Sequence, residues 1–180
     1  MSTPNESKAL ENLEARISRL EDIEAIKQLI ARYAEASDKQ NDPDLMVPLF
    51  TKDGALDIGS DYGRYQGHEV LRAFFLTAPK IISWSLHYNI PSIIEVSDDG
   101  KSATASWYLW ELANMPDPVK DEEVPVWIGG TYTSDLVKEE DGEWRWTEVR
   151  LKMELMSPYE HGWVKKPWHD LGRPSDSIEE

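Results

Sequence analysis

The sequence predicts an α+β fold in which a strongly curved sheet wraps around helices, leaving a cone with an open mouth. Three observations carry that reading: helical periodicity through residues 8–38, a change to period two after residue 83, and four long strand-like segments in series. The 180 residues suffice for one domain with a real core and are too few for two ordinary ones.

Residues 8–38 place Leu10, Leu13, Ile17 and Leu20, then Ile23, Ile26, Ile30 and Tyr33, at three-four spacing. The stripe slips phase near Asp22, which predicts a break or bend there. The expected layout is an N-terminal helical extension (1–21), a main domain (22–156) and an irregular tail (157–180). The extension is short for a coiled coil and is expected to pack on a partner subunit. NDPD (41–44) stops the long helix by turn chemistry, and Asp42 or Asp44 is placed to cap the apolar turn LMVPLF. TKDGALDIGSDYGRYQG predicts a short hairpin. GHEVLRAFFLTAPK predicts an amphipathic helix with Val70, Leu71, Phe74 and Phe75 on its buried side. Strands are expected at 83–96, 103–113, 125–138 and 143–156. The Asp-Gly turns in SDDGK and EEDGE make them an antiparallel meander, with one wide loop at NMPDPVKDEE. The tail carries Tyr159, Trp163 and Trp168, expected to dock on a pocket mouth or a neighbour, with disorder in the last few residues.

Nineteen basic against 34 acidic residues give a net charge of −15. A field of that sign repels phosphate, so neither nucleic acid nor an anionic membrane is an expected partner. No stretch approaches the roughly 18 apolar residues of a membrane span, and the start, MSTPNESKALENLEAR, lacks an apolar signal core; a cytoplasmic protein is expected. With no cysteine, any catalysis must run on oxygen and nitrogen groups. Eight tryptophans suit a pocket for an aromatic or polycyclic ligand, and equally a core and a subunit interface.

There is no HExxH, no Gly-rich phosphate loop, no GxSxG elbow and no histidine pair at metal spacing. What remains is a scattered acid–base set: Tyr33 and Asp38 at the end of the long helix, His87 in the first meander strand, Glu111 in the next and Arg150 in the last. Parity puts Ser83, Ser85, His87 and Asn89 on one face of their strand and Trp84, Leu86, Tyr88 and Ile90 on the other. A small, polar face more often lines a cavity than fills one. In the last strand Trp144, Trp146, Glu148 and Arg150 alternate with Thr147, Val149, Leu151 and Met153, which places Arg150 opposite the apolar row unless a bulge intervenes.

LEDIEAIKQLIARYAEASD, G-x-Y-x-G-HEVLRAFF, LHYNIPSI, TASWYLWE, GGTYTSDLVKEEDGEWRW and EVRLKM together resemble the SnoaL-like branch of the nuclear-transport-factor-2-like superfamily. Within it they are most similar to bile acid 7α-dehydratase-type lyases. The resemblance runs from about Leu13 to Met156. It implies a cone of helices cupped by a curved mixed, mostly antiparallel sheet, an active site in the cavity, and a homodimer or homotrimer. It places the catalytic tyrosine, aspartate and histidine at Tyr33, Asp38 and His87, and the last-strand arginine at Arg150. Where those lyases have aspartate after WYL, this chain has Trp110 and then Glu111. Glu111 and Arg150 are thus expected to orient substrate, with Trp107, Trp110 and Tyr88 as further substrate-binding candidates.

The reaction this implies is a cofactor- and metal-independent elimination on a hydroxylated aromatic or polycyclic small molecule. Water leaves, or a small carbonyl such as formaldehyde leaves a lignin-derived diaryl alcohol. His87 with Asp38 would be the base dyad, and Tyr33 the donor to the departing oxygen. An isomerase or cyclase, or a non-catalytic ligand-binding or scaffold module, shares the fold.

Overall fold

A computed structural model describes residues 4–117 and 122–169. Helix α1 (Pro4–Asp38) is one unbroken element, so the phase slip at Asp22 is not a break. No Gly or Pro interrupts the helix there, and Asp22, only 5% exposed, accepts hydrogen bonds from Lys138 Nζ (2.7 Å) and Trp144 Nε1 (2.9 Å). The slip marks a change in what the helix faces. Leu10, Leu13, Ile17 and Leu20 are exposed, whereas Ile26, Leu29, Ile30, Tyr33 and Ala36 are buried against the sheet. Gln40 and Asn41 then take positive φ and end the helix.

Asp42 caps α2 (Pro43–Met46) through the Asp44 amide, with Pro43 in the first turn where its missing N–H costs nothing. A 3₁₀ turn (Val47–Leu49) leads into β1 (Phe50–Asp57), which pairs antiparallel with β2 (Arg64–Gln66), the expected hairpin. In α3 (His68–Thr77) Leu71 and Phe75 are buried, and Phe74 stacks on Tyr65 with ring centroids 4.0 Å apart. Val70, expected on the buried side, is exposed, because the buried stripe runs through 71, 74 and 75 and Val70 falls beyond its edge.

Four long strands follow: β3 (Trp84–Val96), β4 (Ser102–Pro116), β5 (Glu123–Lys138) and β6 (Trp144–Pro158). The sheet order is β2-β1-β6-β5-β4-β3, and every pair is antiparallel except β1 with β6, so the sheet is mixed and mostly antiparallel. Alternate residues of β4 from Ala103 to Met115 are buried without interruption, so no bulge disturbs its inner face. Two irregularities break the β5–β6 register, at Gly129/Gly130 and Asp135/Leu136. The second resets the parity of β6: Trp146 and Val149 are both buried, while Glu148 and Arg150 stay on the other side. Gly130 is required beside the first, since a Cβ there would meet Lys152 O at 2.6 Å.

The core is aromatic around Tyr33. Its ring meets Trp146 edge-on at 5.3 Å and Tyr132 at 6.0 Å, Trp107 stacks on Tyr132 at 5.0 Å, and Trp146 packs on Phe50 at 5.4 Å. Each such pair adds about 0.5–1.5 kcal/mol beyond the area it buries.

After β6 the chain makes a short helix α4 (Gly162–Lys165) and then a bridge from Trp168 to Met156. Trp163 and Tyr159 pack on Trp127 at 4.9 and 5.6 Å, so these tail aromatics dock on their own sheet. The expectation of disorder at the chain end lies outside the described residues. Among the described residues no helix is long and apolar enough to cross a membrane.

Candidate active site

The site begins with cross-strand register. His87 of β3 stands directly opposite Glu111 of β4, and both side chains lie on the buried face, at 9% and 4% exposure. The parity reading of β3 is what the structure shows: Ser85 is buried, whereas Trp84, Tyr88 and Ile90 are exposed on the opposite face. The last residue of α1 supplies the third group. Asp38 Oδ1 lies 2.8 Å from His87 Nδ1 and accepts the backbone N–H of His87 at 2.9 Å. Two hydrogen bonds from one residue hold that carboxylate in place.

Asp38 carries no proton to donate when ionised, so Nδ1–H is the donor and Nε2 is turned toward Glu111 Oε2, 3.3 Å away. Burial and the two carboxylates then work against each other. Burial depresses the His87 pKa, but the charge of Glu111 and the hydrogen bond and charge of Asp38 outweigh it, and the net shift is upward from 6.5. Burial pushes Glu111 up from 4.5, opposed by His87 and assisted by Asp38. An imidazole and a carboxyl that both hold their protons more tightly act as one proton-sharing pair. Glu111 Oε1 is buried and has no hydrogen-bond partner among the described residues.

Facing this pair across the cavity wall are two phenols. Tyr33 and Tyr132 are hydrogen-bonded, and each is 4% exposed. Burial raises Tyr33 to about 12, while the bond to Tyr132 pulls in the opposite direction. Burial, then the neighbouring Tyr33 and Glu111, carry Tyr132 well above 10.

His87, Glu111, Tyr33 and Tyr132 all line one cavity of about 160 Å³, whose other walls include Leu56, Phe74, Phe75, Ile128 and Met156. Tyr132 was not among the expected site residues. Its signal lay in the parity of β5, where Ile128, Tyr132, Ser134 and Leu136 share the buried face.

Four expected substrate-binding residues lie elsewhere. Arg150 stays on the far side of β6, paired with Asp135 at 2.6 Å and with Glu148, because the bulge leaves Leu151 and Met153 to line the cavity. Trp107 is fully in the core behind Tyr132. Trp110 alternates with buried Leu109 and Glu111 and so packs on Trp127 and Trp163 instead. Tyr88 is half exposed on the outer face of β3. Among the described residues no cluster of three His, Asp or Glu side chains has the geometry to hold a metal ion.

The SnoaL-like domain profile matches residues 18–150. The chain belongs to the SnoaL-like family. The fold of this SnoaL-like domain is that of the nuclear-transport-factor-2-like proteins. A candidate aromatic ring hydroxylase of Novosphingobium aromaticivorans is 26% identical, with a TM-score of 0.67 over 77% of this chain and 94% of that one. A candidate scytalone dehydratase of the same organism is 18% identical, with a TM-score of 0.68 over 88% and 99%. The hexachlorocyclohexane dehydrochlorinase LinA-type3 of Novosphingobium barchaimii is 19% identical, with a TM-score of 0.69 over 79% and 93%. At these identities the last two likenesses concern the fold. Among curated proteins none matches the chain by sequence.

Proposed function

We propose that this SnoaL-like domain is a lyase that eliminates water, or a small carbonyl such as formaldehyde, from a neutral hydroxylated aromatic molecule. The observation that carries the reading is the Asp38–His87–Glu111 array, whose His87 and Glu111 line a largely apolar cavity together with the Tyr33 and Tyr132 phenols. Among proteins of the same fold, a dehydrochlorinase and a candidate dehydratase carry names of eliminations, which supports the class of reaction. The likeness to bile acid 7α-dehydratase-type lyases belongs to the same reading.

In the dehydration, the His87–Glu111 pair takes the proton from carbon, its electron pair forms the new double bond, and the carbon–oxygen bond breaks. Tyr33 gives its proton to the departing oxygen, so that water leaves. Asp38 fixes the imidazole tautomer and offsets the positive charge that develops on the ring. In the carbon–carbon variant the same pair removes a hydroxyl proton, the carbonyl forms as the adjacent carbon–carbon bond breaks, and the electron pair of that bond takes up a proton from Tyr33. The apolar walls lower the local dielectric, which strengthens each of these interactions.

A mass-resolved turnover screen of hydroxylated aromatics tests this, with direct trapping of formaldehyde. His87→Asn is expected to lose about 10²- to 10⁴-fold in rate while remaining folded. Turnover by His87→Asn at the wild-type rate rejects the assignment, and a product of unchanged mass reassigns the protein as an isomerase. A homodimer or homotrimer is part of the proposal, supported by the exposed Leu10, Leu13, Ile17 and Leu20 stripe.

A further inference from the structure

Ser85 is a buried serine whose hydroxyl the rest of the protein does not use. Other buried serines donate to backbone carbonyls: Ser37 to Tyr33 O at 2.9 Å, Ser157 to Lys166 O at 2.7 Å and Ser134 to Ala105 O at 3.4 Å. Ser85 is as well buried, at 6% exposure, yet its hydroxyl has no hydrogen-bond partner among the described residues. Burying a hydroxyl unpaired is unfavourable, so native structures match such groups to protein, water or ligand.

The strand decides where that hydroxyl faces. Ser85 shares the inner face of β3 with His87 and lines the same cavity. Glu111 Oε1 and Asn89 Oδ1 are also unpartnered, but they have no accessible surface, and Ser85 Oγ is not among such enclosed atoms. Its cross-strand neighbour is Ala113, whose single methyl takes up little of the space beside it. Elsewhere in the cavity wall the hydroxyls of Ser37 and Tyr65 are given to the carbonyls of Tyr33 and Tyr62. Ser85 is left as the hydroxyl for a ligand.

Spacing sets which part of a ligand it meets. Two residues along a strand are about 6–7 Å apart, so a group held by Ser85 lies about one aromatic ring's width from a group held by His87. The cavity of about 160 Å³ suits one such ring, since a cavity of roughly 150 Å³ accepts benzene. A ring whose reacting side chain lies at His87 therefore turns its far edge, the para position, toward Ser85. A serine hydroxyl donates and accepts and carries no charge, which matches a phenol hydroxyl or an ether oxygen.

We propose that Ser85 selects the ring substitution of the ligand, holding an uncharged oxygen at the para position of a ring whose reacting side chain lies at His87. Ser85 touches that oxygen and takes no part in the proton transfers, so it determines specificity and orientation. This deepens the lyase reading and rests on it for which end of the ring lies at His87.

Calorimetric titration of the full chain with 4-ethylphenol, 3-ethylphenol and ethylbenzene tests it. 4-Ethylphenol is expected to bind about tenfold more tightly than either of the others. Ser85→Ala is expected to bring the three probes within about twofold of one another, with its urea unfolding midpoint unchanged. His87→Asn is expected to keep the preference, which separates this pose from one with the phenol turned toward the imidazole. With a para-hydroxylated substrate, Ser85→Ala is expected to raise KM about tenfold and leave kcat and its pH profile in place. Equal affinity for the two phenols, a preference that survives Ser85→Ala, or one lost in His87→Asn overturns the proposal. So does a lowered unfolding midpoint in Ser85→Ala, which gives the hydroxyl a structural role, or absence of binding by all three probes. Asn41, at the end of α1, also lines the cavity; a preference lost in Asn41→Gly and kept in Ser85→Ala moves the oxygen there and overturns the assignment. Binding is read apart from turnover. A para preference that depends on Ser85, with no turnover of any ring alcohol, removes the lyase reading and leaves the Ser85 anchor standing. Elimination at rates indifferent to ring position and to Ser85→Ala does the reverse.

Discussion

Glu111 and His87 carry raised pKa values for opposite electrostatic reasons, and that makes their pH behaviour predictable in sign. The largest upward influence on His87 is the Glu111 charge. Glu111→Gln is therefore expected to lower the His87 titration midpoint, and Asp38→Asn to lower it as well; NMR titration of the imidazole reads both. If neutral His87 is the base, the acid limb of kcat/KM moves down with it. The same shift governs stability. The His87 pKa is raised in the folded state, so its stabilising contribution is complete below about 6.5 and is lost as pH rises through the folded value. The raised pKa of Glu111 acts in the same direction, since above about 4.5 the fold retains a proton that the unfolded chain has released. Urea unfolding should give a free energy that falls across the His87 titration in the wild type and falls less in His87→Asn. Tyr33→Phe tests the donor role: it is expected to lower kcat more than it raises KM, since the proton is given in the transition state.

At the level of elements, α1 is two helices by surroundings and one by backbone. Asp22 is the hinge of that difference, and Asp22→Ala strips Trp144 Nε1 of its partner. A loss of about 1–3 kcal/mol is expected, measured by denaturant unfolding. Leu13→Asp with Ile17→Asp touches only exposed positions. The pair is expected to leave unfolding stability of the domain unchanged and to shift sedimentation toward the monomer, whereas an unaltered sedimentation profile removes the stripe from the assembly. Gly130→Ala drives a Cβ into the Lys152 carbonyl, and overpacking of that kind costs about 1–3 kcal/mol.

The same elements show what could be read from sequence. The two Asp-Gly turns bounded β3 to β6 closely, and the alternation in LHYN placed His87 inside because β3 keeps its parity from Trp84 to Ile90. Arg150 was expected beside the substrate from its place in a motif, but strand bulges are set by how β5 and β6 pack on each other, and those contacts are non-local. The phase slip in α1 was visible; its cause was not, because Asp22 finds its partners more than a hundred residues away. Tyr132 was hidden for a related reason. Its role depends on meeting Tyr33 across the core, which periodicity within β5 does not report.

For the whole molecule, the charge of −15 sets which ligands approach readily. A carboxylated analogue of a neutral ligand is expected to bind more weakly at low ionic strength, with the gap narrowing as salt screens the field over a Debye length of about 10 Å at 0.1 M. Titrations of both analogues across a salt series measure this directly.

The parallel pairing of β1 with β6 has a consequence for how the protein is made. On the ribosome, Phe50 to Asp57 emerge with only the three residues of β2 as a strand neighbour, and their second partner begins at Trp144. At about 5–20 residues per second, a nascent chain waits roughly 4–20 seconds for that partner. During the wait Phe50, Ala55 and Leu56, all buried in the finished fold, have no sheet to cover them. Leu151, Met153 and Met156 of the cavity wall arrive with the same late strand. Any truncation before it therefore leaves a chain with the acid–base residues and without the chamber that makes them reactive.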